Sequence, residues 1–146
     1  MPHRAFQIVY TSVLTADAAS HDDVLREIAR TSQRNNAHVG VTGALLVAGN
    51  RVVQLLEGDE AAVREVLARI EADGRHTDIQ RLTEVPEGKP SFAQWSMGVR
   101  RVAAESPTAE ALDALLRAYQ SAFRFDLQDF AKIVRDAYEM DEPRFG

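Results

Sequence analysis

The sequence predicts an α+β fold: a sheet laid down in the order β-α-β-β-α-β-β with both helices on one face, followed by two further α-helices. Three observations predict it. Five short stretches are rich in β-branched and aromatic residues, as strands are. Amphipathic stripes at helical spacing fall after the first and after the third of them. Beyond Val99 only helical stripes remain. A chain of 146 residues with 45% hydrophobic residues has enough apolar material for one core without cross-links.

The first strand spans Ala5 to Val13 (AFQIVYTSV). Ser20 then offers an N-cap, Asp22 and Asp23 place carboxylates at the positive helix end, and Leu25, Ile28 and Ser32 follow at helical spacing to about Asn36. Val39–Ala48 and Arg51–Glu57 read as two strands joined through Gly49-Asn50, a two-residue hairpin signal. Asp59 can cap a second helix with the stripe Val63, Val66, Leu67 and Ile70, and Gly74 stands where a left-handed terminator is wanted. Ile79–Val85, more polar, suits an edge strand; Pro86–Pro90 reads as a loop and Phe92–Val99 as a fifth strand. This order is that of a ferredoxin-like sandwich.

Ser106-Pro107 opens a third helix with the stripe Leu112, Leu115, Leu116, Tyr119 and Phe123. Asp126 can cap a fourth carrying Leu127, Phe130, Val134 and Tyr138. Two such stripes must pack on the uncovered sheet face, on each other, or on another subunit. The expected division is therefore residues 1–100 as an α+β domain and 101–146 as a helical extension.

Composition narrows the function. The chain has no Cys, which removes disulfides, thiolate chemistry and Cys-based zinc sites. Its four His are scattered without ligand spacing, so no metal site is expected. A formal charge of −5 argues against a nucleic-acid backbone as partner. No apolar run approaches the roughly 18 residues of a membrane span, and the N-terminus carries no signal-peptide pattern, so a soluble, cytoplasmic protein is expected.

The informative residues are polar ones at apolar positions. Strand alternation puts Gln54 on a face with Val52 and Leu56, where an amide has donors and an acceptor to satisfy. Tyr10 shares a face with Phe6, Ile8 and Ser12, so its ring is expected inside and its hydroxyl needs a partner. On the first helix the stripe Leu25, Ile28, Ser32, Asn36 starts apolar and ends in a hydroxyl and an amide, with Asn35 alongside. Tyr10, Gln54, Ser32 and Asn36 could all face one helix–sheet cleft, apolar with a few convergent polar groups, as a planar heterocycle requires. Arg75 and His76 follow the second helix, either as charges complementing its C-terminal dipole or as ligands of the same molecule. Trp95 and Met97 are expected on one strand face with Val99, ordinarily core residues.

These residues lie in blocks that resemble the BLUF family, sensors of blue light using FAD. The blocks are VYTS at Val9–Ser12, TSQRNNA at Thr31–Ala37, GVTGALL at Gly40–Leu46, QLLEG at Gln54–Gly58, DGRH at Asp73–His76 and FAQWSM at Phe92–Met97. They run in family order over roughly Arg4 to Val99. The resemblance implies FAD held non-covalently, with Tyr10 as photochemical electron and proton donor and Gln54 as the switch amide. It also implies Asn36 gripping the ring's amide edge and Ser32 in the same neighbourhood. Asn35 stands at a position that alternates between His and Asn in the family. Arg75 is implied near the C2 carbonyl, with His76 beside it, and Trp95 and Met97 as relays of the signal.

Many members carry Arg immediately before the Phe of the last block, where Ser91 stands here. The short tail implies a non-enzymatic, single-domain type acting through homo-oligomers and a separate effector protein. The competing readings are a small hydrolase resembling acylphosphatases, with Arg75 and an Asn binding an oxyanion, and a light-blind interaction module.

Overall fold

The computed structural model describes residues 4–17, 20–93, 95, 97–139 and 144–145. Its elements are β1 (Ala5–Leu14), α1 (His21–Val39), β2 (Thr42–Ala48), β3 (Arg51–Gly58) and α2 (Glu60–Glu71). They continue with β4 (His76–Gly88), β5 (Gly98–Val102), α3 (Pro107–Ala122), α4 (Leu127–Glu139) and a two-residue β6 (Arg144–Phe145). The sheet order is β4-β1-β3-β2-β5-β6, antiparallel throughout except for the parallel β2–β5 pair.

Each face of the sheet carries its own helical layer. Ile8, Tyr10, Leu45, Val52 and Leu56 face α1 and α2, meeting Leu25, Ile28, Val63 and Leu67. Val9, Ala44, Leu46, Val53 and Leu55 face the other way, toward Leu112 of α3 and Phe130, Val134 and Ala137 of α4. The alternation that makes every second strand residue apolar on each face follows from a sheet covered on both sides. Of the three expected placements for the C-terminal stripes, two are found: the helices pack on the uncovered sheet face and on each other.

Several boundaries differ from expectation, each for a local reason. Helix α1 runs on to Val39 because Gly40 adopts a left-handed cap (φ 72°), its N–H reaching Ala37 O, and β2 therefore starts only at Thr42. Gly74 is not the terminator of α2; the helix ends on Ala72 in right-handed conformation, and Gly74 lies outside the positive-φ set. Ser20 and Asp59 stand at N-cap positions without a side-chain cap bond, whereas Ser106 accepts from Ala109 N–H at 3.1 Å and Asp126 from Gln128 N–H at 2.9 Å. Strand β4 reaches Gly88, absorbing Pro86; a proline without a donor is tolerated there because β4 is the edge strand. Phe123 does not join the stripe of α3: it is the left-handed C-cap (φ 53°) and 82% exposed.

The largest revision concerns the expected fifth strand. The ladder begins only at Gly98, because the backbone before it is engaged elsewhere. Ser91 and Phe92 donate their N–H groups to the Glu57 carboxylate, and Trp95 N–H turns back to Phe92 O at 3.0 Å. Trp95 and Met97 consequently do not share a face. Met97 lies with the α1/α2 core and Trp95 with the α3/α4 core.

Candidate functional site

The β1–β3 register pairs Tyr10 directly with Gln54, and the β2–β3 register adds Leu45 on Gln54's other side. Both polar side chains point toward α1 and α2. Tyr10 is fully buried and donates its hydroxyl to Gln54 Oε1. Gln54 Nε2 donates to Met97 Sδ at 3.5 Å. A thioether is a weak acceptor, so one end of this buried amide is held firmly and the other loosely. Burial pushes the Tyr10 phenol well above its ordinary 10.0, and the negative Glu71 adds to the shift. The phenol therefore keeps its proton at neutral pH, ready as a donor.

Helix α1 supplies the second group. Ser32, Asn35 and Asn36 line a cleft of about 70 Å³ between α1 and α2, together with Thr31, Asp73 and Arg75. Asn36 is buried; Ser32, Asn35 and Arg75 are half-buried. Gln33, from the same turn, donates to Met97 O at 3.0 Å and so ties α1 to the residue that Gln54 touches. At the cleft's lip Asp73 receives Arg75 through Nε at 2.9 and 3.0 Å, Nη2 and the backbone N–H. These hydrogen bonds hold the Asp73 carboxyl below its usual range and raise the Arg75 guanidinium further.

His76 is not among the cleft-lining groups. It is buried at the start of β4 with Nδ1 3.1 Å from Ser12 Oγ, two residues along β1 from Tyr10. Burial lowers its pKa from the usual 6.5; Asp73 pulls the other way and Arg75 adds to the lowering. Trp95 is remote from the switch face, though its carbonyl accepts Gly43 N–H at 3.0 Å.

Sequence reasoning passed over a second polar cluster. Glu57 is 1% exposed on the α3/α4 face and accepts from Gln7 Nε2, Ser91 N–H and Phe92 N–H. Gln7 also donates to Lys89 O at 2.9 Å. The signal was available: Glu57 alternates with Val53 and Leu55, the same violation of an apolar face that singled out Gln54. Ser91 contributes a backbone donor here. Among the described residues no group of three or more His, Asp or Glu could hold a metal ion, and no helix is long and apolar enough to cross a membrane.

Several known proteins are similar to this chain. The family model "Sensors of blue-light using FAD" matches residues 5–98. Photoactivated adenylate cyclase subunit beta of Euglena longa is 33% identical over 91 residues, 62% of this chain and 10% of that protein, and its Euglena gracilis counterpart is 34% identical over the same length. The chain thus spans about a tenth of these relatives. Among solved structures, the dark state of the BLUF protein BlrB superposes with a TM-score of 0.70 at 29% identity, covering 96% of this chain and all of BlrB. The photo-activated state of BlsA, at 22% identity, shares the fold with a TM-score of 0.72 over 95% of this chain and 98% of its own. Tyr10 and Gln54 pair across β1 and β3 but are not among the residues lining the α1/α2 cleft. With the family model matching residues 5–98, the chain belongs to the BLUF family of flavin-using blue-light sensors.

Proposed function

We propose that the chain is a photoreceptor of the cytoplasm that binds FAD non-covalently at the α1/α2 face and signals without catalytic turnover. The observation that carries this reading is the Tyr10–Gln54–Met97 chain: a buried amide gripped by a phenol at one end and only weakly engaged at the other. The donor set fits the edge of a flavin. Asn36 and Asn35 offer amides, Ser32 a hydroxyl and Arg75 a cation to ring carbonyls and imide N–H, with His76 behind Arg75. A cleft of about 70 Å³ is smaller than the roughly 300 Å³ of a typical ligand pocket, so entry requires its rim, including Arg69 and Arg75, to swing outward.

When bound, FAD supplies a blue-light absorber that becomes a strong one-electron oxidant on excitation. Tyr10 would be the residue placed to give that group an electron, and its phenol, made far more acidic by the loss, would release its proton along the hydrogen bond to Gln54. Gln54 answers by rotating or tautomerising, which an amide can do because it is donor and acceptor at once. Return of the electron and proton to Tyr10 would leave no net charge moved. What persists is a Gln54 whose N–H and C=O point to different partners.

Residues 1–100 form the sensing unit in this reading, and 101–146 the part that meets a second copy or a separate effector. In relatives such as the photoactivated cyclases the matched region is a small part of a far longer protein, which supports a sensing unit that acts on something outside itself. The test is the colour and photochemistry of the purified protein. A yellow preparation with a flavin spectrum that shifts reversibly to the red under blue light is expected. A colourless preparation that hydrolyses acyl phosphates would establish the hydrolase instead, and a flavin spectrum indifferent to light would leave only a binding module.

A further inference from the structure

We propose that Tyr138 on α4 reads the position of Trp95, so that rearrangement of Gln54 is delivered to the last turns of that helix. This rests on the photoreceptor reading and deepens it by naming the receiving residue. Between Phe92 and Gly98 the chain touches the switch amide on one face of the sheet and α4 on the other. Met97 meets Gln54 and α1, while Trp95, two residues earlier, meets α4. A change in how Gln54 donates to Met97 therefore acts on a short irregular segment whose other end carries an indole.

That indole sits in a row of five groups. Its ring stacks on Phe92 at 4.7 Å between centroids and lies 4.5 Å from the ring of Tyr138. Outside these, the Arg135 guanidinium lies 5.7 Å from the Phe92 centroid and that of Arg100 lies 4.1 Å from the Tyr138 centroid. Arg135 and Tyr138 are three residues apart on α4, hence on one helix face, and grip the Phe92–Trp95 pair from both ends. Arg100 also donates to Tyr138 O at 3.3 Å, tying the end of α4 to β5.

Gly98 completes the cradle. A Cβ there would fall 2.4 Å from the Tyr138 hydroxyl and 2.8 Å from Trp95 Cε3, so only bare backbone leaves room for both rings. Aromatic rings in such a row attract through their faces and edges, and cations through the ring quadrupole. Packing of this kind is either in register or broken, which gives α4 two discrete arrangements to be biased.

Trp95 is the chain's single tryptophan, so its fluorescence reports on this site alone. The experiment compares the FAD-loaded full chain in darkness and under blue light, following the flavin spectrum, Trp95 emission and amide hydrogen exchange over residues 131–139. The wild type should show faster exchange in that segment and altered emission on illumination. Tyr138→Leu should keep the red shift at full amplitude, exchange fast already in darkness, and lose the light-dependent change by about five-fold or more. Tyr138→Phe, which retains the ring, should restore it. If Tyr138→Leu does not fold, Arg100→Met loosens the same ring from β5 and should reduce the light-dependent difference in the same direction.

A wild-type-sized light response of α4 in the folded Tyr138→Leu or Arg100→Met variant overturns the inference. So does a wild type whose red shift is intact while α4 exchange stays the same in light and dark. A wild type with no red shift at all overturns the photoreceptor reading, and this inference with it.

Discussion

The two faces of the sheet each bury a polar cluster on β3, and they are built to opposite ends. On the α1/α2 face the Gln54 amide has one firm partner and one weak one. On the α3/α4 face, three residues along the same strand, the Glu57 carboxylate accepts three N–H groups. An acceptor met by donors on both oxygens is locked, because any rotation strands a buried donor at a cost of about 1–3 kcal/mol each. The Gln54 amide, held firmly at Oε1 alone and by only a thioether at Nε2, gives up one firm hydrogen bond by turning. Placed side by side, the two clusters amount to a movable part and the fixed point it moves against, joined by the segment from Ser91 to Met97.

The sharpest break in that comparison comes at Tyr10. Tyr10→Phe keeps the ring and removes the hydroxyl, so the variant should still bind FAD yet show no reversible red shift in absorption; a normal photocycle would take Tyr10 out of the mechanism. Glu57→Leu attacks the fixed side instead. It strands two backbone N–H groups and Gln7, and chemical denaturation should show a loss of about 3 kcal/mol or more. A loss under about 1 kcal/mol would mean that water or a rearranged loop satisfies those donors.

Smaller effects follow at the cleft. Asn36→Ala should weaken FAD retention by roughly ten-fold, the worth of one or two kcal/mol of lost polar pairing, measured as flavin occupancy after dialysis. Acid should destabilise the fold through His76. Burial lowers its folded-state pKa from 6.5, so the unfolded chain takes up a proton there first. The contribution is neutral above that value and becomes unfavourable as pH falls through it toward the lowered folded value. Asp73, whose carboxyl is held below its usual 3.8, adds a second loss in more acid solution. The melting temperature should accordingly fall as pH drops below 6.5, and the first part of that fall should be absent in His76→Gln. The smallest expected change is a gain: Phe123→Gly relieves a left-handed aromatic that is 82% exposed and should stabilise by about 0.5–1 kcal/mol, the edge contact with Tyr119 being given up.

Much of the fold could be read from the sequence because its signals are local. The Gly49-Asn50 turn closes with Ala48 opposite Arg51 as expected, and β4 lies at the edge as its polarity suggested. The Tyr10–Gln54 pairing was legible as two polar residues facing one way, although only the register shows them directly opposed. What stayed hidden depends on long-range partners. The stretch from Ser91 to Trp95 has strand composition, but the Ser91 and Phe92 N–H groups go to a carboxylate 34 and 35 residues away, so its described residues join no ladder and Trp95 ends on the far face from Met97. Period-two reasoning fails wherever the chain is not a strand. Glu57 breaks the apolar alternation with Val53 and Leu55 just as Gln54 breaks that with Val52 and Leu56, on the opposite face.

The central claim is that Gln54 turns. Light-minus-dark infrared difference spectra of the FAD-loaded protein test it most directly, because the flavin C4=O stretch reports the hydrogen bond that a reoriented amide makes. The account predicts a light-induced lowering of that frequency in the wild type and none in Gln54→Leu. The same lowering in Gln54→Leu would contradict it.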